Sequence, residues 1–139
     1  MIARETFSKR IGRGLAVLAV IAAGLALRRF GYEIGLPFTM VKYGGSILWG
    51  SMVFLLVGML TGSARIALVA SGAMAIALAV ELSRLYHTPE LDAFRLTTAG
   101  KLLLGRVFSL WNILAYATGI AGAAVVEASL LNRARGSVA

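Results

Sequence analysis

The sequence predicts an all-α protein that crosses a membrane four times, and three observations lead to this fold class. The composition is 59% hydrophobic and only 14% charged, with a mean hydropathy of +0.84, whereas about a quarter of the residues in a soluble domain are charged. Four apolar runs each approach the ~20 residues that a spanning helix needs. These runs occupy most of the 139 residues, so we expect a four-helix transmembrane bundle in one membrane domain, residues 1–139.

The first predicted span covers residues 11–27. It follows a basic amino-terminal segment and is followed directly by Arg28 and Arg29. A basic start before a short apolar run is also typical of a cleaved secretory signal peptide. Because basic residues and further apolar runs follow, we favour an uncleaved first helix.

The next two predicted spans, residues 39–60 and 66–86, are separated by a short turn. Such a connection makes the two helices antiparallel neighbours. Aromatic residues before the second span are typical of the membrane boundary. The fourth predicted span covers residues 107–131, and the connection before it contains enough leucine and phenylalanine to form a short interfacial or re-entrant segment.

Small residues recur at helical spacing in these spans, and such residues allow close helix contact when lipid supplies no hydrophobic drive for association. They include a G-x-x-x-G pattern in the second span and four-residue repeats in the third and fourth. The positions expected at close helix contacts are Gly58, Gly62, Ser71, Ala75, Gly119 and Ala123.

Net charge and residue usage exclude several function classes. The net charge is +8, but the basic residues flank apolar runs, so anionic lipid head groups are the expected partner and nucleic acid is not. The absence of cysteine excludes disulfides and thiolate metal sites. His87, Glu90 and Asp92 lack the spacing of a metal site, so we expect no metal. With no nucleophile motif or phosphate loop, we expect a non-catalytic protein without a cofactor.

Glu81 is the most informative polar residue, because a carboxylate near the end of a span must face protein, water or a cation. Arg84 and Arg95 are its candidate partners. Two interpretations stay open: an ion pair that fastens the following loop to the bundle, or contact with a ligand or ion. Asn112 and Tyr116 lie four apart on one helix face, where they form either an interhelical hydrogen-bond clamp or the wall of a binding site. Glu127 is expected to pair with an arginine near one of the termini.

Together these features predict a polar pocket for an amphiphile or an anionic head group, in which arginines supply planar donors. The residues expected around it are Lys42, Tyr43, Ser46, Trp49, Glu81, Arg84, Asp92, Arg95, Asn112 and Tyr116. The alternatives are a structural subunit of a homo-oligomer or larger membrane complex, and a small transporter.

Several segments resemble a known family. LPFTMVKYGGSILWG and LDAFRLTTAG are similar to the domain-of-unknown-function 2809 family of small bacterial membrane proteins, and more distantly to the VanZ-like teicoplanin-resistance proteins. The resemblance implies four helices in the bacterial inner membrane, and the VanZ-like similarity implies modulation of the cell envelope. Arg84 and Asn112 depart from the family pattern, which usually has glutamine and aspartate at these positions.

The orientation is the least determined feature, because the basic residues divide equally between the two membrane faces. The first helix usually dominates topology. Since basic residues precede it, we expect both termini in the cytoplasm.

Overall fold

The structure, a computed structural model, describes residues 2–63, 65–105 and 107–137. These residues form six helices and no strand: α1 (Ile2–Phe30), α2 (Phe38–Thr61), α3 (Ile66–Ser83), α4 (Pro89–Leu96), α5 (Thr98–Leu103) and α6 (Leu110–Gly136). In this part of the chain, α1, α2, α3 and α6 are long and apolar enough to cross a membrane. The predicted all-α bundle with four spans is therefore confirmed.

The helix boundaries differ from the predicted spans mainly at the termini. Helix α1 begins at Ile2 and α6 continues to Gly136, because the basic and alanine-rich flanking segments have high helix propensity even where they are not apolar. Helix α6 begins at Leu110, after Ser109 in an extended conformation and Gly105 with a φ of 68°. The connection before α6 contains two short helices, α4 and α5.

Helix α2 lies at the centre of the bundle. It packs against α1, α3 and α6, and α3 packs against α6 as well, whereas within the described residues α1 packs on α2 alone. The core is formed mainly by Met52, Val53 and Phe54 of α2 with Val69 of α3 and Tyr116 of α6. Helices α1 and α6 therefore both pack on α2, and within the described residues their backbones do not approach each other closely.

The closest helix contact joins α2 and α6. A Cβ atom on Gly119 would collide with the carbonyl oxygen of Ile47, and one on Gly50 would collide with the backbone of Tyr116. The Ser51 hydroxyl donates to the Gly119 carbonyl at 3.0 Å. Gly119, which was expected at a close helix contact, lies at this one, and Ala123 packs on the same core. Gly50 was not predicted.

The predicted contact face of α3 is wrong for packing within the chain, because Ser71 and Ala75 are exposed. The buried row contains Val69, Ala73 and Ala77 and ends at Glu81. The two rows are offset by two residues, or about 200° around a helix. Both repeat every four residues, so spacing alone did not distinguish them.

Gly58 and Gly62 accommodate arginine side chains, and the prediction that they receive a helix backbone is wrong. The Gly58 carbonyl accepts a hydrogen bond from Arg13 Nη1 at 2.7 Å. Gly62 ends α2 in the left-handed conformation with a φ of 63°, and its α-carbon faces the guanidinium of Arg10. The G-x-x-x-G pattern therefore receives side chains of α1 at the end of α2.

Arg95 fastens the α4–α5 segment to α3. Its side chain is 1% exposed and donates to the carbonyls of Ser83 at 2.6 Å and Tyr86 at 2.8 Å, where α3 has ended. Asp92 accepts from Arg95 at 3.1 Å and lies 3.0 Å from His87 Nδ1. The hydrogen bond with His87 is the main cause that lowers the pKa of the Asp92 carboxyl; desolvation opposes it, and the hydrogen bond from Arg95 adds to the lowering. Asp92 therefore pairs with Arg95 within α4, and Arg95 does not pair with Glu81.

Candidate functional site

A buried carboxylate, Glu81, organises the polar interior at the end of α3. It is 0% exposed. Its Oε1 accepts from the Ser109 backbone N–H at 2.6 Å and from Asn112 Nδ2 at 3.2 Å. Its Oε2 accepts from the Tyr116 hydroxyl at 2.9 Å and lies 2.7 Å from Arg84 Nη1. A carboxylate has about four acceptor positions, so the protein itself satisfies Glu81.

Arg84 connects this carboxylate to the loop between α5 and α6. Its Nε donates to the Leu104 carbonyl at 2.5 Å, its Nη1 to Val107 at 3.2 Å and its Nη2 to the Tyr116 hydroxyl at 2.9 Å. The second Nη2 hydrogen has no acceptor among the described residues. Glu81 and Arg84 therefore form an ion pair that fastens the loop, as in the first interpretation of Glu81, and Arg84 keeps one donor without an acceptor among the described residues.

A cavity of about 310 Å³ lies beside Arg84, between α1 and α6, with α2 at its base. Its basic lining residues are Arg28, Lys42, Arg84 and Lys101; its amide, hydroxyl and aromatic ones are Ser46, Trp49, Asn112 and Tyr116. Its larger apolar lining residues are Val20, Ile21, Leu48, Met52 and Val107, and none of the described lining residues is acidic.

Among the described residues, a side-chain bond joins α1 to α6 at the end of the bundle opposite the cavity. There, Arg13 Nε donates to Glu127 Oε1 at 2.8 Å, which confirms the predicted arginine partner of Glu127. Arg13 also donates to the carbonyls of Gly58 and Ser63. At the other end the Glu81–Arg84 pair joins α3 to α6 and the loop, and it leaves α1 apart.

The lining changes from basic to apolar along the helices. Met52 lies about 15 Å deeper than Lys42 along α2, and Val20 about 12 Å deeper than Arg28 along α1, at 1.5 Å per helical residue. The hydrocarbon core of a bilayer is about 30 Å thick. The cavity therefore extends from basic residues at the helix ends to apolar residues near the middle of the span.

Charge in the cavity is mostly uncompensated. Arg84 is paired with Glu81, but Arg28, Lys42 and Lys101 form no ion pair among the described residues. The ammonium of Lys42 lies 5.2 Å from the ring of Tyr43 and 5.9 Å from that of Phe38. Such aromatic contacts orient a cation without neutralising it. The lining therefore carries a net positive charge.

Six of the residues expected around a pocket line this cavity: Lys42, Ser46, Trp49, Arg84, Asn112 and Tyr116. The other four lie outside this lining. Glu81 and Arg95 are buried beneath their own partners, and Asp92 pairs with His87 and Arg95. Tyr43 stands outside the lining, against Lys42.

Arg28 and Lys101 line the cavity and were not predicted as site residues. Each follows or lies within an apolar segment near a span end, where basic residues commonly contact lipid head groups. Their position was a sequence signal for the membrane boundary. Their convergence with Lys42 and Arg84 depends on the gap between α1 and α6, which the sequence does not reveal.

Comparison with known proteins gives one family and no structural relative. A family model described as "Protein of unknown function (DUF2809)" matches residues 36–120, which confirms the resemblance to this family. No solved structure matches the chain. The matched region includes α2, the Glu81–Arg84 pair and the first part of α6, whereas the α1 wall of the cavity lies outside it.

Proposed function

The chain belongs to the DUF2809 family of proteins of unknown function, and we propose that it is a non-catalytic membrane protein whose cavity holds the anionic head group of an amphiphile. The observation that carries this proposal is the change in the lining from Arg28 and Lys42 at one end to Val20 and Met52 at the other. An anionic head group and an apolar chain match that order.

The size of the cavity supports a head group in preference to a whole lipid. At about 310 Å³ it lies at the lower end of the ~300–1,000 Å³ typical of ligand pockets. The first part of a lipid chain would therefore contact the apolar inner lining, and the rest would leave the cavity through the gap between α1 and α6. A planar guanidinium such as that of Arg84 is well suited to phosphate or carboxylate oxygens.

The chemistry of the described lining supports binding without catalysis. Glu81 is fully engaged by four partners, and the lining otherwise offers cations, hydroxyls, an amide and aromatic rings. General acid–base catalysis needs a group that can exchange a proton near neutral pH within reach of the substrate. Recognition, and through it a role in the cell envelope, is the function we assign.

The test uses tryptophan fluorescence. The chain contains two tryptophans: Trp49 lines the cavity, and Trp111 is 67% exposed. In a Trp111→Phe variant in maltoside detergent, dodecyl phosphate should change the Trp49 emission saturably, whereas zwitterionic dodecylphosphocholine should not. Lys42→Gln should weaken binding of dodecyl phosphate several-fold.

The control is Trp49→Phe, in which the remaining Trp111 lies outside the cavity. It should report no saturable change. Equal responses to both detergents, or an unchanged affinity in Lys42→Gln, would contradict binding of an anionic head group in this cavity.

The proposal also includes the orientation of the protein in the membrane. We place the protein in a bacterial inner membrane with both termini in the cytoplasm, so that the basic end of the cavity faces the outer leaflet. Because the chain has no cysteine, single cysteines at Thr88 and Ser63 can be labelled from outside with an impermeant thiol reagent. Labelling at Thr88 alone is expected, and labelling at Ser63 alone would reverse the orientation.

A second candidate function is assembly through α3. It is supported by the exposed row that contains Ser71 and Ala75, which no other part of the described chain covers. A Ser71→Leu/Ala75→Leu variant should have a lower mass in detergent than the wild type if this row joins copies or a partner subunit. An unchanged mass by light scattering would remove this candidate.

A further inference from the structure

We infer that the cavity selects amphiphiles that end in a phosphomonoester over those whose phosphate is a diester. This inference rests on the proposed function and names the class of head group. It follows from the number of uncompensated cations, from their origin in separate elements and from the limited volume around them.

The charge balance favours a head group with two negative charges. Arg84 is neutralised by Glu81 at 2.7 Å, which leaves Arg28, Lys42 and Lys101 without an acidic partner among the described residues. A phosphodiester carries one negative charge and would leave most of this charge uncompensated. A phosphomonoester carries about 1.5 to 2 negative charges at pH 7.

The distribution of the cations favours a terminal phosphate. Arg28 lies in the last turn of α1, Lys42 near the start of α2 and Lys101 in α5, while Arg84 follows α3. The cations therefore belong to four different parts of the chain that meet at one cavity. A phosphomonoester presents three free oxygens, whereas a diester has two free oxygens and a second substituent that needs its own space.

Arg29 differs from its neighbour Arg28 in both position and pairing. It is adjacent to Arg28, but its Nη1 lies 2.5 Å from Glu33 Oε1, on an exposed surface outside the lining. Of these two neighbours, Arg28 lines the cavity and has no acidic partner among the described residues, whereas Arg29 is paired. Arg29 therefore provides a matched control at the same helix end.

A phosphomonoester could also come from a soluble phosphate compound. The apolar inner half of the lining, with Ile21, Leu48 and Met52, would then stay without an apolar partner. We therefore assign the phosphate to a lipid-like molecule, and inorganic phosphate serves as the probe for the soluble source.

The experiment measures binding by Trp49 fluorescence in the full-length Trp111→Phe protein, reconstituted in phosphatidylcholine nanodiscs. The probes are phosphatidic acid and phosphatidylglycerol with identical acyl chains, and inorganic phosphate. Phosphatidic acid should bind about tenfold more tightly than phosphatidylglycerol, as expected for one additional charge near several cations. Inorganic phosphate should bind at least tenfold more weakly than phosphatidic acid.

Variants test the origin of the preference. Arg28→Gln and Lys101→Gln should each reduce the preference for phosphatidic acid to about twofold or threefold, whereas Arg29→Gln should retain it. A preference that survives in both cavity variants would overturn the charge argument.

The remaining outcomes separate this inference from the proposed function. Equal affinity for the two lipids would overturn selectivity and leave binding of an anionic head group in place. Binding of neither lipid would overturn both. Inorganic phosphate that binds as tightly as phosphatidic acid would overturn the assignment to a lipid.

Discussion

Each end of the bundle contains an arginine–glutamate ion pair, but only one of the two pairs joins α1 to α6. At one end Arg13 of α1 reaches Glu127 of α6 at 2.7 Å and closes the gap between these helices. At the other end Glu81 and Arg84 belong to neighbouring turns of one segment, and their bonds extend to α6 and to the loop before it. A buried ion pair therefore closes the bundle only where its two partners come from α1 and α6.

The difference also explains where positive charge remains available. The guanidinium of Arg13 is already hydrogen-bonded to Glu127 and to two carbonyls at the end of α2. At the open end Arg84 is paired, but further basic residues from α1, α2 and α5 meet in the gap. The closed end is thus a structural clamp, and the open end is the candidate binding site.

The largest expected effect concerns the carboxylate of the open end. Glu81→Gln should lower the free energy of unfolding by about 3–5 kcal/mol, because it leaves the mostly buried Arg84 without its counter-ion. The midpoint of thermal unfolding in detergent measures this. A Glu81→Gln/Arg84→Gln double variant should recover part of the loss. A wild-type midpoint for Glu81→Gln would contradict the central role of Glu81.

The second largest effect is expected at the contact between α2 and α6. Gly119→Ala should cost about 1–3 kcal/mol, because the new methyl group collides with the backbone of α2. Gly122→Ala is the matched control on the same helix, since a Cβ there meets nothing within 4 Å. Equal midpoints for the two variants would mean that α2 and α6 do not approach as closely as described.

A smaller effect is expected at the closed end. Glu127→Gln should cost about 1–2 kcal/mol, less than Glu81→Gln, because the Glu127 side chain is 20% exposed and that of Glu81 is 0% exposed. Comparing the two denaturation midpoints checks the order. A larger loss of stability for Glu127→Gln than for Glu81→Gln would contradict the greater contribution assigned to the Glu81–Arg84 pair.

The smallest effect is a pH dependence from Asp92. Because the hydrogen bond with His87 and the contact with Arg95 lower its pKa in the folded state, the ionised carboxylate stabilises the protein above the unfolded value of about 3.9. That contribution is lost as the pH falls through the folded pKa. The midpoint difference between wild type and Asp92→Asn should shrink from pH 6 to pH 3, and a constant difference would exclude this linkage.

Much of the fold was predictable because apolar run length determines the number of spans. The polar residues of the open end were predictable in part: Glu81 needed a partner in an apolar setting, and the four-residue spacing of Asn112 and Tyr116 placed them on one face. The structure joins these residues in one hydrogen-bonded cluster.

The rest depended on which surfaces of the helices meet. Ser71 and Ala75 are as small as the buried Ala73 and Ala77, and in a membrane helix apolar character does not distinguish a lipid-facing row from a packed one. The sequence also does not show that α1 and α6 are joined by Arg13 and Glu127 at one end and lie apart at the other. Without knowledge of the gap between α1 and α6, the sequence places Arg28 and Lys101 only at the membrane surface.

The most direct test of the account is the chemical environment of Ser46, which lies in the lining of the cavity. Since the chain has no cysteine, Ser46→Cys can be labelled with methanethiosulfonate reagents of opposite charge. The account predicts that the anionic sulfonate reagent reacts faster than the cationic ammonium reagent, and that dodecyl phosphate protects the thiol. Ser137→Cys, at the other end, should show no protection. Equal rates for the two reagents together with no protection at Ser46→Cys would contradict an open, positively charged cavity.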